Sequence, residues 1–226
     1  MIKNLKQIGI LAWKDVLIDL RRKENLLSMF FFSLTTIILF NFAIGENTRT
    51  FRPLVPGIMW VIFLLAGVLG LGKAFQQEAE NDSMNGLLLT PISRGSLFLG
   101  KMFGTTMFLS LVQLFVVPLF VVFFDMEPVG GFGPLALAML AGTIGFTALG
   151  TLLAGMTSAI RGREVMLPIL LFPLIVPNLI SVVKITSFIF FGGDPDPILS
   201  WWKLLIGFDT ILCVFSYLCF EFVLED

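Results

Sequence analysis

Long apolar runs with almost no charged residues alternate with short polar segments along this chain. Five of the runs occupy residues 25–45, 53–72, 98–124, 132–160 and 165–183. Each is near or above the length of about 20 apolar residues that a helix needs to cross a bilayer. Residues 198–220 are apolar as well but contain Lys203 and Asp209, while Trp201 and Trp202 resemble an interfacial aromatic belt. The pattern therefore predicts six transmembrane helices.

The segment before the first run, residues 1–24, has the period of an amphipathic helix. Its predicted apolar face comprises Ile2, Leu5, Trp13, Val16, Leu17 and Leu20, opposed by Lys3, Lys14, Asp15, Asp19 and Arg21. Such a helix is typical of one that lies in the membrane interface. A cytosolic helix packed on a partner is the alternative.

Composition supports a single membrane domain over residues 1–226. Mean hydropathy is +0.94 and only 14% of residues are charged, whereas soluble domains carry roughly a quarter. The fold class is therefore all-α, a polytopic six-helix bundle in the lipid bilayer. A net charge of −1 offers no basic field for nucleic acid, so no nucleic-acid partner is expected.

Histidine is absent from the chain. Its absence removes the commonest metal ligand and proton shuttle, so we predict no catalytic residue, no metal site and no cofactor bound by this chain. Two partial P-loop patterns, Gly67–Lys73 and Gly95–Lys101, are followed by Ala74 and Met102 instead of the Ser or Thr that such a loop requires. Cys213 and Cys219, six residues apart on one helix, predict no disulfide.

Basic residues are distributed unevenly between the two sides of the predicted bundle. Of the 15 Lys and Arg residues, all but Arg49, Arg52, Lys184 and Lys203 fall on the side of the two termini. The positive-inside rule then places both termini in the cytoplasm.

The longest polar connection, residues 73–101, falls on that same side. Within it, residues 76–91 combine an acidic helical stretch with three leucines and a terminating proline; its candidate residues are Glu78, Glu80, Asp82, Ser83, Leu87, Leu88, Leu89, Thr90 and Pro91. Ser93 can cap the next helix. We predict a short surface helix that docks into a groove of a soluble partner. A plain hairpin whose leucines cover lipid headgroups is the alternative.

Three further features fall within the predicted spans. A carboxylate such as Asp209 is energetically unfavourable inside a spanning segment. Its presence predicts either a functional role or a hydrogen bond from Asn41, Gln113 or Asn178. Small residues recur every fourth position near Thr147, Thr151 and Gly155, which indicates close helix contact within the chain or in a dimer. Prolines interrupt two spans and are hinge or static-kink candidates: Pro118, Pro168, Pro173 and Pro177.

The run Glu78-Ala-Glu80-Asn-Asp82-Ser83-Met-Asn-Gly-Leu87-Leu88-Leu89-Thr90-Pro91 resembles the coupling element of ABC-2-type exporter permeases. Pro56-Gly57-Ile58-Met59-Trp60 and Leu167-Pro168-Ile-Leu-Leu-Phe172-Pro173-Leu-Ile-Val-Pro177 resemble the CcmB family within that class. The resemblance covers essentially the whole chain. It implies a bacterial inner-membrane subunit of an ATP-driven complex for cytochrome c maturation.

The resemblance further implies that a separate CcmA-like ATPase docks on residues 76–91. CcmC-like and CcmD-like membrane subunits and a CcmE-like haem chaperone would be its other partners, with haem as the cargo of the complex. Because this chain lacks histidine, we predict that tight haem ligation resides in a partner. Two alternatives are an ABC-2 exporter of a lipid, glycan or drug, and a membrane scaffold that moves no cargo.

Overall fold

A computed structural model describes residues 2–21, 23–45, 51–80, 93–157 and 163–223. In these residues the chain forms seven α helices, and a 3-10 turn at Arg52–Leu54 leads into the third. The helices are α1 Ile2–Arg21, α2 Lys23–Ile44, α3 Val55–Glu80, α4 Arg94–Phe124, α5 Phe132–Thr157, α6 Arg163–Phe191 and α7 Asp196–Val223.

Helices α2 to α7 are each long and apolar enough to cross a membrane. The predicted all-α class with six spanning helices is therefore confirmed. The sixth, α7, is continuous through Lys203 and Asp209. Helix formation satisfies every internal backbone donor and acceptor, which is what the hydrocarbon core requires of a spanning segment.

Helix α5 lies at the centre of the bundle. Of its most apolar stretch 72% is buried, against 17% for α2. Its glycines allow neighbouring helices to approach closely: a Cβ on Gly142 would lie 2.7 Å from a methyl group of Val182, and one on Gly150 would lie 2.5 Å from Leu71. At Gly155 the corresponding distance to the Phe220 ring is 3.1 Å. The small residues of α5 thus make close contacts within the chain.

Two ends of the bundle can be distinguished. We call the end with α1, the start of α4 and the last turn of α7 the terminal face, and the end with residues 51–54, 125–131 and 192–197 the opposite face. On the opposite face the amide of Gly130 donates to the carbonyl oxygen of Ile189 over 2.9 Å. On the terminal face Ser93 caps α4, as predicted, since its hydroxyl accepts from the Ser96 amide over 3.3 Å.

Two helices extend beyond the apolar runs that predicted them. Helix α3 continues to Glu80, past the run that ends at residue 72, and α6 continues through Lys184 to Phe191. The extension of α6 is stabilised by packing, because Ile185 and Ile189 are buried in the core. Helix length is thus set by the neighbouring helices as well as by hydropathy.

Candidate functional site

The coupling element predicted at residues 76–91 is only partly described. Residues 76–80, with Glu78 and Glu80, form the end of α3, so this acidic stretch continues the second span. The remaining candidates lie outside the described residues: Asp82, Ser83, Leu87, Leu88, Leu89, Thr90 and Pro91. The docking role of the whole stretch therefore stays a prediction.

Helix α1 packs tightly against the first half of α4, the helix that follows the predicted coupling element. A Cβ built on Gly100 would lie 2.7 Å from the Cβ of Leu11, and one on Gly104 would lie 3.2 Å from the carbonyl oxygen of Ala12. Glycines four residues apart leave a groove along α4 into which the backbone of α1 fits. We call this contact the α1–α4 junction. The spacing Gly100-x3-Gly104 is the sequence signal that could have predicted this junction. The hydropathy pattern does not contain that signal.

The junction rotates α1 relative to the predicted amphipathic face. Leu11, Ala12 and Val16 are buried, whereas Trp13 and Leu20, assigned to the same apolar face as Val16, are exposed. Asp15, assigned to the polar face, packs beside Gly104, and Lys14 forms a 3.0 Å ion pair with its carboxylate. The junction thus buries Val16 of the predicted apolar face and partly buries Asp15 of the predicted polar face, whereas Trp13 and Leu20 stay exposed. The interfacial role of α1 stays a prediction.

Helix α4 also carries a buried cation in this part of the sequence. Lys101 lies between Gly100 and Gly104 and is only 3% exposed. Buried charges in proteins are paired or hydrogen-bonded, and Lys101 does have an interaction partner.

Asp209 lies inside the bundle and is 8% exposed. The side-chain amide of Asn178 on α6 donates to its Oδ1 over 2.6 Å. Gly145 of α5 faces the same pair, and a Cβ there would overlap both the carboxylate and the amide. Three helices therefore meet at one polar contact, which only glycine at position 145 accommodates.

Gln113 and Asn41, the other partners considered for Asp209, bond elsewhere. The Gln113 amide donates to the Thr143 hydroxyl over 2.8 Å, and Asn41 donates to the carbonyl oxygen of Phe123. Other buried polar groups pair across helices too: the Thr106 and Thr147 hydroxyls are 2.7 Å apart, and Trp60 Nε1 donates to the Thr186 hydroxyl over 3.0 Å. These polar bonds connect α4 to α5 and α3 to α6.

The centre of the bundle holds only a small cavity. Its volume is about 30 Å³, and its walls include Trp60, Gln113, Thr143 and Asn178. A space of that size holds roughly one water molecule. A larger groove of about 290 Å³ lies between α4 and α5, beside Pro118 and Phe132, and Gln113 lies between it and the centre. Among the described residues, the bundle is thus closely packed inside and carries a groove on its outer side.

All four hinge candidates lie inside continuous helices. Pro118 belongs to α4, and Pro168, Pro173 and Pro177 belong to α6. The Ser181 hydroxyl donates to the carbonyl oxygen of Pro177 over 2.7 Å, a bond to the preceding turn that serine commonly makes within a helix. A hinge role for these prolines stays a prediction.

The two partial P-loop patterns also lie within helices. Gly67 belongs to α3, where a Cβ would lie 2.7 Å from the Phe146 ring, and Gly95 belongs to α4. Cys213 and Cys219 are both free thiols, as the sequence predicts. In the part of the chain that the structure describes, no three His, Cys, Asp or Glu side chains are grouped to hold a metal.

Comparison with known proteins assigns the chain to a family. The family model described as CcmB protein matches residues 7–223. The Heme exporter protein B of Pseudomonas aeruginosa is 30% identical over 172 residues, which cover 76% of this chain and 77% of that protein. The protein of the same name from Bradyrhizobium diazoefficiens is 29% identical over 210 residues, or 88% of this chain and 93% of that protein. This multi-pass membrane protein belongs to the CcmB family.

Proposed function

We propose that this chain is the transmembrane subunit of an ATP-driven complex for cytochrome c maturation, located in the bacterial inner membrane. The match to the CcmB family over residues 7–223 carries the proposal, and relatives named Heme exporter protein B add haem as the cargo of the complex. These relatives favour this role over export of a lipid, glycan or drug. The chain itself hydrolyses no ATP in this proposal; a CcmA-like partner does.

The α1–α4 junction supports a mechanical role for the chain. Helix α4 begins directly after the predicted coupling element, holds α1 through Gly100 and Gly104, and bonds to the central helix α5 through Thr106 and Gln113. A displacement of the coupling element would therefore move α1 and α4 together and reach α5. Tightly packed interiors transmit such displacements well.

The packed centre favours a second candidate within the same complex. Among the described residues, the central cavity of about 30 Å³ is too small for a porphyrin, whereas the groove between α4 and α5 lies on the outer side of two candidate spanning helices. Both features support a scaffold that relays ATPase motion to CcmC-like, CcmD-like and CcmE-like partners without moving cargo through itself. Release of a haem-loaded chaperone would then occur on a partner subunit.

The coupling element is tested by replacing Leu87 and Leu88 with Asp. A pair of carboxylates cannot enter an apolar groove without a large desolvation penalty, so we expect the variant to lose co-purification of the ATPase while inserting normally into the membrane. Asn85→Asp is the matched control, because it adds a charge in the same stretch and keeps the leucines. An ATPase that still co-purifies with the double variant would contradict the docking site.

Haem ligation is tested by optical titration of the purified chain. Without histidine, any tight binding would need Met, Tyr217 or a Cys as the axial ligand. We expect no stoichiometric low-spin spectrum for this chain alone and a clear one for the assembled complex. A low-spin spectrum of the isolated chain at one haem per chain would place ligation here and not in a partner.

A further inference from the structure

One face of α1 is largely uncovered by the bundle, with only Leu17 partly buried. Lys6, Ile10, Trp13, Leu17, Leu20 and Arg21 recur at three- and four-residue steps, so they form one ridge on the side of the helix away from Gly100 and Gly104. We call it the outer ridge of α1. Ile10 is 68% exposed and Trp13 is 58% exposed, and Lys6 and Arg21 are exposed at its two ends.

Acidic and basic side chains lie on different sides of α1. Asp15 packs beside Gly104 on α4, and Asp19 is partly buried, so the acidic side chains are drawn towards the protein. Lys6 and Arg21 lie on the outer ridge, and Lys14 borders it while pairing with Asp15. The surface that α1 presents outward is therefore apolar and cationic.

The position of α1 brings this ridge to the membrane boundary. Helix α2 begins at Lys23, directly after α1, and its exposed Leu27 and Phe31 belong to a candidate spanning segment. A ridge held beside the start of a spanning helix lies at the depth of lipid headgroups. Tryptophan favours that depth, and lysine and arginine there contact lipid phosphates.

We propose that the outer ridge of α1 is a binding surface for anionic phospholipid. Ile10, Trp13, Leu17 and Leu20 insert among the upper acyl segments, and Lys6, Lys14 and Arg21 contact the phosphate groups of the headgroups. Apolar burial accounts for attachment to any bilayer, and the three cations account for a preference for anionic lipid over zwitterionic lipid. The α1–α4 junction, on the opposite side of α1, fixes the orientation of the outer ridge.

Quenching of Trp13 fluorescence in the full chain tests the proposal. The chain with Trp201→Phe and Trp202→Phe is placed in phosphatidylcholine nanodiscs that contain equal amounts of phosphatidylglycerol, with bromine on the chains of one lipid or of the other. Trp60 is buried, so the quenched signal comes from Trp13. We expect stronger quenching by brominated phosphatidylglycerol. The variant Lys6→Gln, Lys14→Gln, Arg21→Gln should lower the preference at least about tenfold.

A matched control separates the ridge from net charge. Lys184 and Lys203 are exposed cations on α6 and α7, and replacing both with Gln should leave the lipid preference at Trp13 unchanged. Equal quenching by the two lipids in the parent chain would overturn the proposal, as would an unchanged preference in the triple variant. Absence of quenching by either lipid would also overturn it and would point to a soluble protein as the occupant of the ridge.

Discussion

At the scale of single residues, the contact between Asn178 and Asp209 is the most specific polar feature of the membrane interior. Its partners come from α6 and α7, and Gly145 of α5 leaves the room for both. A buried amide without an acceptor is costly, whereas replacement of both partners by apolar groups can be nearly neutral. Removal of one partner should therefore destabilise the bundle, whereas removal of both should change its stability little.

We expect Asp209→Asn to unfold at nearly the same temperature as the parent, because the new amide still offers an oxygen to Asn178. Asp209→Leu should lower the free energy of unfolding by about 1–3 kcal/mol, and adding Asn178→Leu should restore most of that loss. Thermal unfolding in detergent measures all three. Thr210→Val, at an exposed neighbouring position, controls for substitution on α7.

The same variants separate structure from function at Asp209. If Asp209→Asn folds normally yet stops release of the haem-loaded chaperone in the assembled complex, the carboxylate has a role beyond its hydrogen bond. If Asp209→Asn is as unstable as Asp209→Leu, the hydrogen-bond account is contradicted and the charge itself stabilises the bundle.

At the scale of helices, the α1–α4 junction depends on two positions without side chains. Gly100 meets Leu11 and Gly104 meets the backbone of Ala12. The two contacts are one helical turn apart, so they fix both the distance and the rotation of α1. A larger side chain at either position must displace α1 as a unit.

We expect Gly100→Leu to detach α1 while the six spanning helices stay assembled. Limited trypsin digestion of the full chain measures this, because Lys6, Lys14 and Arg21 lie in α1 and local opening exposes them to cleavage; their cleavage should accelerate about tenfold or more. Gly207→Leu is the matched control, since no side chain lies within 4 Å of that position. Equal cleavage rates in the two variants would show that Gly100 does not hold α1.

At the scale of the whole molecule, the distribution of basic residues orients the bundle. The terminal face carries most of the Lys and Arg residues, so we expect it to face the cytoplasm. In a chain with Cys213→Ala and Cys219→Ala, Val129→Cys should react with a membrane-impermeant maleimide in intact cells. Lys6→Cys should react only after permeabilisation. The reverse pattern would place both termini outside.

The sequence alone was sufficient to predict the number of spanning helices, the all-α class, the cap at Ser93 and the family. Each of these depends on local features: the length of an apolar run, a side chain next to a helix start, or a short motif. Even the interrupted sixth span was predictable, because two charged residues in 23 do not outweigh the apolar remainder.

Only the tertiary structure decided which side of α1 faces the protein and which residue bonds to Asp209. Hydropathy ranks side chains by their transfer from water, so it cannot distinguish a side that packs on a neighbouring helix from a side that contacts lipid. Small residues decide that, as Gly100, Gly104 and Gly145 illustrate. The partner of Asp209 lies 31 residues away, and the choice of Asn178 over Gln113 follows from how three helices cross.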